Sequence, residues 1–588
     1  MTATPVARLL VLLAPLVLVG LFTRAYYTPD EPREASLVVA MAQQPDKALP
    51  ELAGRPFAEK PPLLYWLGGA AVAAFGPAPA AARLPNLVYF AVTVLAIGAL
   101  VTRAAGAAAG FAAGIAAATM LQLYQVLIWL ATDAPLVAGV ALALLGAYRG
   151  LAAAGTRPRL AGYLVFHLGL AVAFFAKGFA GWMVPVCAWL AVLVLERRWR
   201  ECLRWELWAG VPLVALAIGA WVLWVAARPD GAESLKVLFW YNLVGRAVPL
   251  GAPAEFAYAA GHGNSPGKYL VELPLYLLPW TALAFVALRR AARGARRRDA
   301  EGTAWRLALG AIVPPTLLLS LAATARGVYY APPALGFAIL IGLYVGSAGT
   351  ALDRIERVAW RVTGVLVALL AALVGAAAAL VCLAPAALSP ASAALGAVAV
   401  AAAAGAAYLA LTPRAAGSAA LPRLALAATL ALSVAIAPLY LQVNDWLSLE
   451  RLAARVSRAA GAAPLVVLDP DETTLALVGL YLPAAASGAV RSADRGATER
   501  LRASLTPATR ILWLVPDRAH WDAAAWLAFL GYRSGAPVAP AVTPPQGLGP
   551  LHVECLLLRA GGRAFALLAA DGSTPAAGTE CQGGAAGG

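Results

Sequence analysis

Apolar residues recur along this chain in long uninterrupted runs, not at the alternating spacing of a surface helix or strand. Stretches long enough to cross a bilayer lie near 7–23, 84–101, 104–121, 134–148, 160–176, 179–195 and 207–226, then 270–288, 305–323, 328–347, 359–383, 392–411 and 423–441. Each predicts a helix, because backbone amides inside a membrane must satisfy one another. The run Pro61–Phe75 (PPLLYWLGGAAVAAF) is shorter than the roughly 17–25 residues that a spanning helix needs. Aromatic at its start and containing glycine, it predicts a helix lying along the interface. The first run follows Arg8 and lacks a small-residue cleavage site behind it, so it reads as an uncleaved first span.

The pattern changes after residue 443. Leu465–Asp469, Ile511–Val515 and His552–Leu558 read as short strands. Helical stretches near 473–482, 494–504 and 519–530 alternate with them, which predicts a small α/β domain over 444–572. Asp469 and Asp471 at a strand end read as turn or capping residues. The Gly/Ala-rich stretch 573–588 predicts a disordered tail.

Composition removes the soluble alternative. Hydrophobic residues make up 61% of the chain and charged residues 13%, and a globular protein cannot hide that much apolar surface. A net charge of +15 could point to nucleic acid, but the basic residues lie in short loops between apolar runs. That is the signature of topology-setting charge, and no nucleic-acid partner is expected.

The same arginines decide what crosses. With the N-terminus cytoplasmic and 61–75 not spanning, the inside loops carry Arg103, Arg149, Arg157 and Arg159, the run Glu196–Arg204, Arg289–Arg298, Asp353–Arg361, Arg414 and Arg423. Were 61–75 to span, every later loop would change sides and the densest arginine runs would face outward, against the positive-inside rule. The expectation is therefore 13 spans, a long first outer loop over 24–83, and the C-terminal domain outside, in a bacterial inner membrane. All five lysines (Lys47, Lys60, Lys177, Lys236 and Lys268) then fall outside. For Lys47 and Lys236 this reads as chance in an arginine-rich chain. Cys187 and Cys382 lie in apolar runs as packing residues, whereas Cys555 and Cys581 can pair if the tail is exported.

The first outer loop opens with Tyr26-Tyr27-Thr28-Pro29-Asp30-Glu31-Pro32-Arg33 and continues to Phe57-Ala58-Glu59-Lys60-Pro61-Pro62. Acidic residues within a turn of a membrane end are costly to desolvate and mark a site, although Asp30 is also a good helix N-cap. Asp133, just before the fourth run and followed closely by Pro135, has the same two readings. Topology puts Asp30 and Asp133 at one level on one side, where two carboxylates can orient a hydroxyl, bind a metal or act as a general base. Lys177, Arg246, His262, Lys268, Arg326 and Tyr330 lie on that side too. Singly, such cations only reach for headgroups; as a group they suggest an anionic ligand such as a lipid phosphate.

At these residues the chain resembles the bacterial lipid A aminoarabinose transferases, within the protein-O-mannosyltransferase-like type C glycosyltransferases. The resemblance rests on DEPR (Asp30–Arg33), FxEKPP (Phe57–Pro62), an outer Asp before the fourth span, and KGF (Lys177–Phe179). It continues through FWYNLVGR (Phe239–Arg246), YLLPW (Tyr276–Trp280) and Arg326-x-x-x-Tyr330. It implies a mainly α polytopic fold, a polyprenyl-phosphate sugar donor, a lipid or glycan acceptor, and inversion at the anomeric carbon. Asp30 and Asp133, with Glu31 beside them, would be the acidic residues of the reaction centre. Lys60, Arg33, Arg246, Arg326, Lys177 and Tyr330 would hold donor or leaving-group phosphate, with Glu59 lining the site. The stretch Gly251–Gly267 could close over bound lipid. One departure matters: the Glu-His that the family carries after FW-x reads Asn242-Leu243 here. The usual histidine of a metal site is therefore missing, and neither a metal nor another cofactor is expected. A transporter or flippase would instead need ionisable residues at mid-bilayer on broken helices, which these runs lack; a protein acceptor fits the resemblance as well as a lipid.

Overall fold

The computed structural model describes residues 3–27, 30–244, 263–265, 267–347, 352–412, 417–482, 486–490, 495–517, 520–534, 542–545, 548–558 and 563–570. Arg246, His262 and nearly all of 251–267 lie outside the described residues, as does Cys581.

The chain is mainly helical. Helix α1 (Ala3–Phe22) buries Leu9, Leu13 and Leu16 against the membrane core, and the first outer loop follows it. That loop holds α2 (Glu31–Gln43), a two-residue hairpin of β1 (Glu51–Leu52) and β2 (Arg55–Pro56), α3 (Leu63–Phe75) and α4 (Pro79–Arg83). The 13 residues of α3 reach only about 20 Å, too short to span, and its buried side packs on α2. After this loop come α5 (Pro85–Ala105), long enough to span, and then α6 (Ala107–Thr119) and α7 (Leu121–Ile128), a pair bent by 64°.

The next three helices place the site. Helices α8 (Asp133–Ala152), α9 (Thr156–Lys177) and α10 (Met183–Glu196) follow, with one 3-10 turn, Gly178–Trp182, between the last two. The apolar stretch 156–196 is continuous, yet a straight rod of that length would be about 60 Å, twice the hydrocarbon core. Its ends show that it reverses. Lys177 meets Asp133 at one end of α8, while Arg198, just past α10, donates to the Leu151 carbonyl at the other. Gly178, with φ +63°, supplies the left-handed residue at the turn.

Helices α8 and α9 approach closely because small residues line both. A Cβ at Gly146 would stand 2.1 Å from the Phe166 nitrogen, one at Gly162 2.4 Å from the Gly150 nitrogen, and one at Gly169 2.3 Å from the Ala143 nitrogen. In lipid, where apolar burial does not drive association, such contact is how helices hold together. Among the described residues nine helices are long and apolar enough to cross a membrane, or eleven if each of two bent pairs is one span. The many-span helical architecture is thus established and the count of 13 is not. The count of nine leaves out α1, whose apolar part is taken as only Ala7–Phe22, and takes 156–196 as one helix although it turns back.

The end of the bundle opposite Asp133 gathers arginines from the short loops. Arg306 donates to Glu196 at 2.6 Å, Arg289 pairs with Asp353, and Arg290 pairs with Glu356. Beyond the last span, β3 (Leu465–Leu468), β4 (Ala486–Val490), β5 (Arg510–Leu514), β6 (Leu551–Leu558) and β7 (Ala564–Ala570) form one sheet in the order β4-β3-β5-β7-β6. Strands β4, β3 and β5 are parallel, and β7 and β6 add antiparallel. Neither β4 nor β7 was expected; both are Ala-rich and lack the β-branched signal of their neighbours.

Gly169→Leu should force α8 and α9 apart. Overpacking costs about 1–3 kcal/mol, read as a lower melting temperature of the detergent-solubilised protein. An unchanged melting temperature would mean that close approach does not hold this pair.

Candidate active site

A fully buried carboxylate organises the outer loop. Glu31, the first residue of α2, accepts at one oxygen from Arg83 Nη2 (2.9 Å), Arg83 Nε (3.1 Å) and the Leu130 amide (2.9 Å). Its other oxygen accepts from Arg24 Nη2 (2.9 Å) and the Tyr27 amide (3.0 Å). Arg24 also lies over the rings of Tyr27 and Tyr440, and Arg83 donates to the carbonyls of Arg24 and Ala25. Burial alone would raise the Glu31 carboxyl, but the two guanidiniums and two amides hold it below its ordinary value. Glu31 is expected from sequence to be catalytic. With both oxygens saturated and no exposure, it is instead the joint between the end of α1, α2, α4 and the loop before α8.

Placing Glu31 inward turns its neighbours toward the site. Asp30 does not cap α2; its carboxylate pairs with Arg326. Asp133 makes no capping bond either, and accepts from Lys177 Nζ at 2.6 Å. Burial would lower the Arg326 guanidinium, but Asp30 first, and then Tyr329 and Asp133, raise it. One turn along α2, Glu34 accepts from Lys60 Nζ and Arg33 Nη2, both at 2.7 Å, and from the Tyr65 hydroxyl at 2.8 Å. Against the upward push of burial, Lys60 and Arg33 bring the Glu34 carboxyl down to about 2. Arg33 lies 3.7 Å from Asp30 and packs over Phe57.

Of these groups Lys60 and Lys177 line a cavity of about 570 Å³, and Asp30, Arg33, Glu34, Asp133 and Arg326 stand behind that lining. Glu59, Lys60 and Lys177 form its polar end, and Phe179, Leu238, Phe239 and Leu318 are among its apolar lining. Asn242 and Leu243 line it too. One wall runs out to Leu321, 82% exposed on the side of the bundle.

Tyr330 is not at this cavity. It is buried, its hydroxyl 2.9 Å from that of Thr316, its ring stacked between Tyr269 and Tyr276. The neighbouring Tyr329 lines the cavity, with Lys177 Nζ 5.1 Å from its ring centre. A 3-10 turn over Gly327–Tyr330 sends adjacent tyrosines to opposite sides, which a motif spacing cannot reveal. Lys47, read as incidental, donates to the carbonyls of Met41 and Ala42 at the end of α2. Glu34, Arg24, Arg83 and Tyr65 escaped the sequence reading. Arg83 was visible as a charge in otherwise apolar surroundings, a signal for burial with a partner, whereas Glu34 ends the charged stretch Asp30–Glu34, where nothing singles it out.

Known proteins resemble this chain in sequence and in fold. Residues 59–224 match the family model for dolichyl-phosphate-mannose-protein mannosyltransferase. The undecaprenyl phosphate-alpha-4-amino-4-deoxy-L-arabinose arabinosyl transferase of Pseudomonas aeruginosa (strain UCBPP-PA14) is 28% identical over 330 residues, 55% of this chain and 56% of that protein. The transferase of the same description from Edwardsiella ictaluri is 29% identical over 368 residues, 62% of each. The crystal structure of ArnT from Cupriavidus metallidurans bound to undecaprenyl phosphate superposes with a TM-score of 0.70, covering 98% of this chain and 100% of that one at 17% identity. Its apo form gives 0.68 at 18% identity. This chain is similar to the aminoarabinose transferases. It shares their fold over nearly its whole length, whereas the sequence match spans only about 56–62% of the curated relatives.

Glu31→Gln would leave two buried guanidiniums without their counter-charge. Breaking a buried pair in this way costs about 3–5 kcal/mol, read as a large drop in melting temperature of the solubilised protein; retained stability would remove Glu31 from its structural role. For Glu34 the sign follows from its depressed folded value. Its stabilisation is full above the ordinary carboxyl range and is lost as pH falls toward about 2. The stability difference between the parent and Glu34→Gln should be largest at neutral pH and shrink below about pH 4. A difference that grows on acidification would contradict the assignment.

Proposed function

We propose that this chain is a membrane glycosyltransferase that moves a sugar from a polyprenyl-phosphate donor to a lipid or glycan acceptor in the cell envelope, with inversion. The observation that carries this reading is the apolar cavity with Lys60 and Lys177 in its lining, beside Asp133, which pairs with Lys177, and Asp30, which pairs with Arg326. A polyprenyl chain fits the leucine- and phenylalanine-lined wall and can enter sideways past Leu321. Its phosphate fits the end held by Lys60 and Lys177. The relatives described above act on undecaprenyl-phosphate-linked sugar, which supports the same donor class here.

In this reading the acceptor oxygen attacks the anomeric carbon from the face opposite the phosphate. The carbon–oxygen bond to phosphate breaks, and the leaving polyprenyl phosphate takes the electron pair and its negative charge. Lys60, Lys177 and Arg326 stabilise that charge as it develops. Asp30 or Asp133 takes the proton of a hydroxyl acceptor; an acceptor phosphate such as that of lipid A arrives already ionised and needs no base. Without donor, Asp30 is paired with Arg326, Asp133 with Lys177 and Glu34 with Lys60. An arriving phosphate competes for those cations, so donor binding loosens the carboxylates that the second step uses.

The orientation proposed is an N-terminus in the cytoplasm and the site and C-terminal domain in the periplasm. The division is a membrane domain over 1–443, an α/β domain over 444–572 and a tail over 573–588. Arginines gathered at the opposite end of the bundle support this. So does Cys555, which is disulfide-bonded in the C-terminal domain, as fits an oxidising compartment.

Asp30→Asn and Lys60→Ala should each lower sugar transfer by at least about 10²-fold while the protein still inserts in the membrane. Mass spectrometry of lipid A, surface glycans and exported proteins from cells with and without the chain measures the transfer and names the acceptor. Full activity of both variants would remove the site assignment.

A further inference from the structure

The C-terminal sheet is joined to the cavity by one line of charged side chains. It starts at Arg563, just before β7, which pairs with Asp471. Asp471 divides its oxygens: one pairs with Arg563, and the other caps the helix Glu472–Tyr481 by accepting from the Thr474 amide (2.8 Å) and hydroxyl (2.7 Å). Asp469, with φ +49°, makes the turn out of β3 that aims this helix at α2. Its first residue, Glu472, accepts from Arg33 Nη1 at 2.6 Å. The other terminal nitrogen of Arg33 binds Glu34, and Glu34 binds Lys60 at the polar end of the cavity.

The docking of the domain does not depend on Glu472. Leu475 and Leu480 from the same helix pack against the apolar cluster of α2 and α3. At Gly479 the two helices touch so closely that a Cβ would stand 2.7 Å from Ser36 Oγ. Those contacts set where the helix lies. What Glu472 adds is a second anchor for the Arg33 guanidinium, a flat group that binds two carboxylates from two directions. Without Glu472, Arg33 keeps Glu34 and the attraction of Glu59 on the side of the site, and loses the one anchor that opposes a swing toward Asp30, 3.7 Å away. It would then compete with Arg326 for that carboxylate.

We infer that Glu472 is a positioning residue contributed by the C-terminal domain, which holds Arg33 so that Glu34 and Lys60 present a fixed cation to the donor phosphate. The inference rests on the functional reading above and deepens it, giving the C-terminal domain a part in the site. The test uses the full chain in detergent–lipid micelles, with undecaprenyl phosphate as the probe. Glu472→Ala should weaken its binding by about 10-fold, with the melting temperature nearly unchanged because the apolar docking remains. Glu472→Asp should restore part of the loss. Arg33→Ala should weaken binding at least as much, and adding Glu472→Ala to it should cost nothing further, since Glu472 acts only through Arg33. Wild-type affinity in Glu472→Ala, or losses that add in the double variant, would overturn the inference and leave the functional reading standing. A parent protein that does not bind undecaprenyl phosphate would overturn both.

Discussion

The arrangement of this protein hangs on the burial of one carboxylate between two guanidiniums. Burying Glu31, Arg24 or Arg83 alone would be prohibitive. Together, with two backbone amides and three carbonyls adding hydrogen bonds, they lock four separate segments at one end of the bundle. Helix α2 is thereby held in one rotation about its axis. That rotation fixes where Asp30, Arg33 and Glu34 lie, so that Arg326 meets Asp30 and Lys60 meets Glu34. The chemistry of the site follows from a structural ion pair one residue away.

A second constraint is the near-backbone contact of α8 and α9. Asp133 opens one helix and Lys177 closes the other. Only helices packed through glycine and alanine along their shared length bring those two ends within hydrogen-bond reach. The same economy appears where the C-terminal domain meets α2: small residues set the distance and one charged pair sets the register. In a protein whose driving forces inside the membrane are packing and hydrogen bonding, small residues determine geometry as much as large ones do.

Much of this was legible in the chain. The apolar runs and the arginines between them are sufficient for a many-span helical architecture with a short interfacial helix at 63–75, because a bilayer imposes length and charge rules on any sequence that crosses it. The cluster of Asp30, Lys60, Asp133, Lys177 and Arg326 was legible for the same reason, since topology alone brings those residues to one membrane level. Within that level the reading erred wherever the direction of a side chain mattered. Glu31 and Tyr330 lie in the right motifs but point into the protein, while Glu34 and Tyr329 take the places next to Lys60 and Lys177.

The sequence by itself determined that many apolar helices cross a membrane and which acidic and lysine residues gather at one end of the bundle. These are one-dimensional properties, length and charge against a slab. Only the tertiary structure decided which carboxylate is a buried joint and which faces the cavity, which of two tyrosines lines it, and that Glu472 reaches Arg33 from 439 residues away. Those outcomes depend on the rotation of helices about their axes and on contacts between distant segments, and neither is encoded in hydropathy or motif spacing.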